Sequence, residues 1–484
     1  MKSLLTALAL CAVPLAAQPL LLGPEIPVGP PSGVAHSARV AAAPHGGFAV
    51  VWHETQILLR VFGADGTPLS GAVQLSAPGP GLTSVSPEIA ALASGGYVVV
   101  WSDVDSSPFE PLQPPRASGR IVDATGQPVG PEIRLPAGTL APDLAAYPSG
   151  GFVLTWLSEP FLQKSVRRFD DSGAPVSGEV VVQVGENHKM ATLPGDRLVV
   201  AWERLLPVPG GGESHVSFRI FGPDLLPAGP EVRVHGPELP DNTWPQIASD
   251  ATGRFVIAWR ATATDTAGRQ TVPQQIRVRI FGPDGSAQSP EILVRTAPTL
   301  QDINLPAAVA LRSDGSFLVV WWTLSQIDLF ARWYHPDGTP GGESFPIPVS
   351  PGNQFEGDAA PTAAGWVVSW NNFSSDSSDA NGPRIRQLGL PCGTSSRLCL
   401  NGGRFRAEVT WRIPSSGLEG TGTPIPLTAD TGAFWFFQPS NYELLVKVLD
   451  GRALNDHFWV FYGSLTNVEF DLTVTDTVTG TVLF

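Results

Sequence analysis

Arg39, Glu88, Asp143 and Lys189 each stand thirteen residues before a tryptophan, namely Trp52, Trp101, Trp156 and Trp202. Two bases and two acids at one equivalent position of a recurring pattern form a mixed-charge ring if that position faces a common axis. Such a ring can recognise a polar ligand. The Glu88 and Asp143 carboxylates also hold the elements of a general acid and base, since glycoside hydrolysis sets two carboxyl groups beside the scissile bond. Gln246 and Ala308 fill the position in two further copies. The competing expectation is a solvated strand edge, the usual place of charged side chains.

Other residues offer separate chemistry. Asp103 and Asp105 in WSDVDSS, and Asp376 and Asp379 in NFSSDSSDANG, could supply oxygen ligands to Ca²⁺, the one cofactor the sequence suggests. Neither run has EF-hand spacing, and Ser, Asp, Asn and Gly are also ordinary loop residues. Trp244 and Trp322 fall outside the repeated tryptophan position, which makes them candidates for an aromatic ligand platform or for gap fillers. The eight histidines form no metal-ligand spacing, and no GxSxG elbow, P-loop or dinucleotide fingerprint is present. A net charge of −14 lacks the basic footprint that nucleic acid requires.

The elements that must position these residues repeat. Seven apolar segments, FAVVW, YVVVW, FVLTW, LVVAW, FVIAW, FLVVW and WVVSW, end at Trp52, Trp101, Trp156, Trp202, Trp259, Trp321 and Trp370. A strand apolar on both faces is covered on both sides. An alanine precedes each tryptophan by eleven residues, from Ala41 to Ala359, and a glycine-bearing or equivalent turn lies between. A third strand carries Arg60, Arg120, Arg167, Arg219, Arg279, Arg332 or Arg386, and in four copies a glutamate follows twelve residues later: Glu132, Glu179, Glu231 and Glu291. Hairpin geometry predicts Arg–Glu pairs there.

Four strands per unit, repeated radially, describe a β-propeller. The seventh unit lacks a fourth strand, and Gly23-Pro-Glu-Ile-Pro-Val28 matches the fourth strands at Gly130–Leu135 and Gly229–Val234. An N-terminal strand is therefore expected to complete the last blade, removing an unpaired edge. The fold class is all-β: a seven-bladed propeller over residues 18–390, followed by a small β-sandwich over 391–484. Trp435, Phe437, Trp459 and Phe461 are expected to pack inside that sandwich.

Residues 1–17 combine Lys2, an apolar run and Ala16-Ala17, the pattern of a secretory signal peptide. Export makes Cys392 and Cys399 a candidate disulfide. No later stretch is apolar enough for a transmembrane helix. The expected location is extracellular or at the cell surface, and the expected state is a monomer.

The units GGFVLTW and VRRFDDSGAPVSGEVVV resemble a degenerate repeat of large secreted bacterial proteins, of the form GGFVVxW…RxFDxxGxPxGxExxV, which implies propeller blades over roughly residues 20–390. The tail, with LCLNGGRFRAEVTWR and ELLVKVLDGRALNDHFWVFYGSLTNVEFDLTVTDTVTG, is similar to a C-terminal accessory module of exported bacterial proteins. The leading expectation is a non-catalytic binding protein for an extracellular polysaccharide, peptide or surface protein. The longest loops, after Trp101, Trp202, Trp259 and Trp370, are expected to form its recognition face. An extracellular polymer-degrading enzyme with carboxylates at the funnel, and a structural cell-surface spacer, are the alternatives.

Overall fold

A segment that is apolar on both faces must lie between neighbours on both sides, and this requirement organises the chain. A computed structural model describes residues 21–483, apart from 30–35, 106–113, 159–162, 374–380, 390–395, 477–480 and loop positions one to three residues long. Among the described residues, the stretch from Leu21 to Gly389 forms seven antiparallel four-stranded sheets, and the C-terminal region forms one more of four strands and one of five. Seven hydrophobic clusters each join one sheet to the next, and the last couples Ala360, Val367 and Ile385 to Val40, Trp52 and Phe62. The ring is closed, and the molecule is a β-propeller. All seven repeated tryptophans are buried, as wedges between blades.

Closure occurs where the sequence places it. Strand Leu21–Pro27 pairs with Gly382–Gly389, setting Glu25 opposite Arg386. The innermost strands are His36–Ala42, Leu82–Ala91, Thr139–Ala146, Glu186–Leu193, Asp241–Ser249, Asn304–Leu311 and Asn353–Pro361.

The expected Arg–Glu pairs need correction. Only Arg120 and Glu132 approach each other, at 3.8 Å. Glu291 pairs with Arg277 at 2.6 Å, Glu231 with Arg204 at 2.9 Å, and Glu179 accepts from Ser165 Oγ. Most of the repeated arginines act on backbone instead. Arg60, Arg167, Arg279 and Arg332 each donate Nε–H to the carbonyl ten residues ahead. Arg60, Arg279 and Arg386 also donate to Val28, Val234 and Ile347, carbonyls at the outer end of the preceding blade. The planar fork suits two carbonyls at once, so these arginines clip neighbouring blades together.

In the C-terminal region, a sheet containing Arg397–Leu400, Phe405–Ile413 and Glu469–Asp476 and a second containing Thr431–Trp435 and Leu444–Asp450 bury one shared core. The region is two sheets whose apolar faces share one core. Its aromatic register differs from expectation: Phe434 and Phe436 face inward, while Phe437 and Phe461 are exposed and Trp435 and Trp459 are half-buried. A one-residue slip turns every side chain of a strand to the other face. Among the described residues, no helix is long and apolar enough to cross a membrane. The expected signal peptide lies outside the described residues, as does Cys392 of the expected disulfide.

Candidate functional site

Every innermost strand carries a register shift at the same level, immediately before the ring position: His36/Arg39, Val85/Glu88, Leu140/Asp143, Glu186/Lys189, Thr243/Gln246, Pro306/Ala308 and Phe355/Asp358. In six blades the bulge holds a non-glycine residue with positive φ: Ser37, Ser86, Ala141, Asn187, Trp244 and Glu356. A bulge frees backbone groups and re-aims a side chain. Three of the freed N–H groups donate to a side chain of the preceding blade, Ser37 to Glu356 at 2.7 Å, Ala141 to Ser102 at 3.0 Å and Trp244 to Glu203 at 3.3 Å. These three bulges are thus tied to the blade before them.

Above them opens a cleft of about 770 Å³, lined among others by Arg39, Glu88, Asp143, Lys189, Trp244 and Trp322. The six residues singled out from sequence for ligand recognition therefore share one cavity. Gln246 also lines it. Trp244 stands on its bulge with 43% of its surface exposed. Trp322 is half-buried and meets Phe355 edge to face, with ring centres 6.2 Å apart.

The seventh ring position is Asp358, which counting back from Trp370 misses. Residues one before each tryptophan pair with the ring, and Asp358 pairs with Ser369 as Arg39 pairs with Val51. The hairpin after Pro361 is one residue shorter than that after Ala42, so Asp358 lies twelve residues before its tryptophan and Ala360 replaces Ala359 at the crowded inner position. Aligning DAAP with EIAAL, rather than counting from the tryptophan, would have found it.

Lys189 Nζ lies 3.1 Å from Glu88 Oε1 and 3.7 Å from Asp143 Oδ1, and Arg39 Nε lies 3.5 Å from Glu88 Oε2. Burial opposes ionisation of Glu88, but Lys189 and Arg39 outweigh it and hold the carboxyl below its usual range. Burial dominates at Asp143: with Glu88 adding to it and Lys189 opposing, the carboxyl is pushed up to about 6. Its Oδ2 has no hydrogen-bond partner among the described residues. Burial also raises Asp358, whose oxygens accept from the N–H groups of Val40 and Ala359. Two carboxylates driven apart in pKa can divide acid and base roles.

Lys164, Glu186, His188 and Glu356 also line the cleft and carry no motif that would mark them in sequence. His188 Nε2 lies 2.7 Å from Thr155 Oγ1, and burial together with the Lys164 and Lys189 charges pulls the imidazole down to about 3. It presents a neutral ring at neutral pH.

The Asp103 metal assignment is corrected. Asp103 is buried, and its oxygens accept from Ser84 Oγ at 2.6 Å, Trp101 Nε1 at 3.0 Å and Ser118 Oγ at 2.8 Å. Its capacity is spent on anchoring a wedge tryptophan. Asp105 follows on the same strand, and no group of three or more His, Cys, Asp or Glu residues converges among the described residues. Asp376 and Asp379 lie outside the described residues. Much of the loops after Trp101 and Trp370, expected to form the recognition face, lies outside the described residues. Bulged inner strands line most of the described cleft, and the chain after Trp202 continues as a long hairpin of Arg197–Val208 with Gly211–Phe221.

No protein-family model and no curated protein matches the chain. Among solved structures it is similar to a protein of unknown function from Dyadobacter fermentans, at 11% identity and a TM-score of 0.45, over 76% of this chain and 98% of the other. It is similar to the polysaccharide lyase Uly1 at 10% identity and a TM-score of 0.46, over 73% and 90%. The WD40 domain of Neurospora crassa Pan2 matches at 12% identity and a TM-score of 0.43, over 76% and 96%. Likeness this distant bears on no site residue.

Proposed function

We propose that the chain is a secreted binding protein whose propeller cleft holds an extracellular saccharide. The observation that carries this reading is the joining of an exposed indole, Trp244, to a ring of charged groups in one cleft of about 770 Å³. A sugar ring offers an apolar face to stack on an indole and hydroxyl edges that hydrogen-bond to carboxylates and cations. Both surfaces are available here. The bulges fix the polar groups through bonds between blades, and such pre-organisation limits the ordering cost of binding. The test is titration of the purified protein with a panel of defined oligosaccharides, alongside Trp244→Ala. Binding that weakens at least about tenfold in the variant, as loss of a buried aromatic anchor does, supports the reading. Unchanged binding moves the site elsewhere.

A second reading is a polymer-degrading enzyme, and it rests on Glu88 and Asp143 lying against one ammonium with their pKa values driven apart. Incubation with polysaccharides, scored for new reducing ends and compared with Asp143→Asn and Glu88→Gln, decides it. Turnover lost in both variants favours catalysis, whereas saccharide binding without turnover favours the first reading.

A further inference from the structure

Among the described residues, Lys164 is the cation of the cleft whose ammonium contacts no carboxylate. The lining includes three cationic side chains: Arg39 contacts Glu88, Lys189 contacts Glu88 and Asp143, and Lys164 makes no ion pair or hydrogen bond through Nζ among the described residues. Lys164 is only 8% exposed, on strand Gln163–Phe169, where it pairs with Leu157 on one side and Val182 on the other. An ammonium this buried without a hydrogen bond carries a desolvation cost that the Glu186 charge offsets only in part. Burial pulls it down to about 8, against the opposing pull of Glu186. The neighbouring His188 is neutral and adds no second positive charge.

We infer that the Lys164 end of the cleft receives a carboxylate of the ligand, so that the saccharide bound there is acidic and carries a uronate unit. This rests on the saccharide reading and narrows its substrate class. A carboxylate against Nζ forms a charge-assisted hydrogen bond, stronger than a neutral one, and it relieves a group left unmatched in the free protein. The rest of the lining limits how many charges enter. Glu88, Asp143, Glu186 and Glu356 repel a densely anionic chain, so one uronate seats at Lys164 and neutral sugar surface faces Trp244. An acidic peptide would meet the same ammonium but makes less use of the exposed indole.

The experiment is calorimetric titration of the full chain with oligogalacturonate and oligoalginate of three to six units, each beside its carboxyl-reduced neutral counterpart. It is repeated with Lys164→Met, Lys164→Gln and Trp244→Ala. The expected result is at least about tenfold tighter binding of one acidic series than of its neutral counterpart. Lys164→Met and Lys164→Gln abolish that preference, and their melting temperatures do not fall, because an unmatched charge has been removed. A preference that survives both substitutions overturns the inference, as does equal binding of acidic and neutral forms. If that equal binding is lost in Trp244→Ala, the saccharide reading stands while this one falls. Absence of binding to every saccharide overturns both, and Lys164-dependent capture of an acidic peptide without any saccharide overturns the saccharide class.

Discussion

The Lys189 ammonium lies 3.1 Å from Glu88 and 3.7 Å from Asp143, so a residue of the fourth blade holds carboxylates of the second and third. Removing it leaves two acids facing each other with Arg39 as the remaining cation on Glu88. Lys189→Met should cost about 2 kcal/mol at pH 7, below the range for a fully buried pair because Lys189 is 32% exposed. Both carboxyls then take up protons more readily, so the deficit should shrink as pH falls toward 5. Denaturant melts of variant and wild type at pH 5 and 7 check it. A deficit independent of pH would show that packing, not charge, is what Lys189 supplies.

Asp143 gives the unmodified protein a pH signature. Its folded pKa of about 6 lies above the ordinary 3.8. Between those values the folded state holds a proton that the unfolded chain releases, so this group's contribution to stability falls as pH rises through the window and is level above it. Asp143→Asn removes the falling limb. The difference in melting temperature, variant minus wild type, should grow from pH 4 to 6.5 and then stay constant. Parallel curves would mean that Asp143 is no harder to ionise in the fold than out of it.

The blades were legible because each needs the same wedge. Seven tryptophans and the apolar runs before them state the period, and the match of Gly23–Val28 to internal fourth strands locates the closing strand. Four ring residues were legible because they keep one distance from a tryptophan. Asp358 escaped because a hairpin one residue shorter changes that distance while leaving the pairing intact. The bulges left no mark, since residues as different as Ser37, Trp244 and Glu356 hold the left-handed conformation with help from the neighbouring blade. Lys164 was hidden for another reason. What sets it apart is a missing partner, and that is a property of three-dimensional surroundings.

Asp103 should behave as a structural anchor. Replacing it with alanine strands the indole N–H of Trp101 and two buried hydroxyls, for an expected loss of about 2–4 kcal/mol. Asp103→Asn keeps one acceptor and should lose less. Millimolar Ca²⁺ should not restore either variant, nor shift the wild-type midpoint through this residue. Chemical denaturation with and without Ca²⁺ separates the roles, because a calcium ligand would make the loss depend on the ion.

The closing strand offers the sharpest test of the ring. Leu21–Pro27 covers the edge of Gly382–Gly389; Glu25 pairs with Arg384 at 3.4 Å and bonds Ser350, and Arg386 donates to the Gly23 carbonyl at 2.7 Å. Deleting residues 21–27 uncovers a row of backbone donors and acceptors and leaves the buried Arg386 one carbonyl short. The expected outcome is a loss of about 3–5 kcal/mol, large because a whole strand and a buried polar network go together, and concentration-dependent association through the bare edge. Light scattering and thermal melts measure both effects. A synthetic peptide of residues 21–28 added in excess should reverse that association and raise the melting temperature, since it binds only the folded ring. If the truncated chain associates no more than the full one and melts with it, the seventh blade holds without its fourth strand and closure contributes nothing.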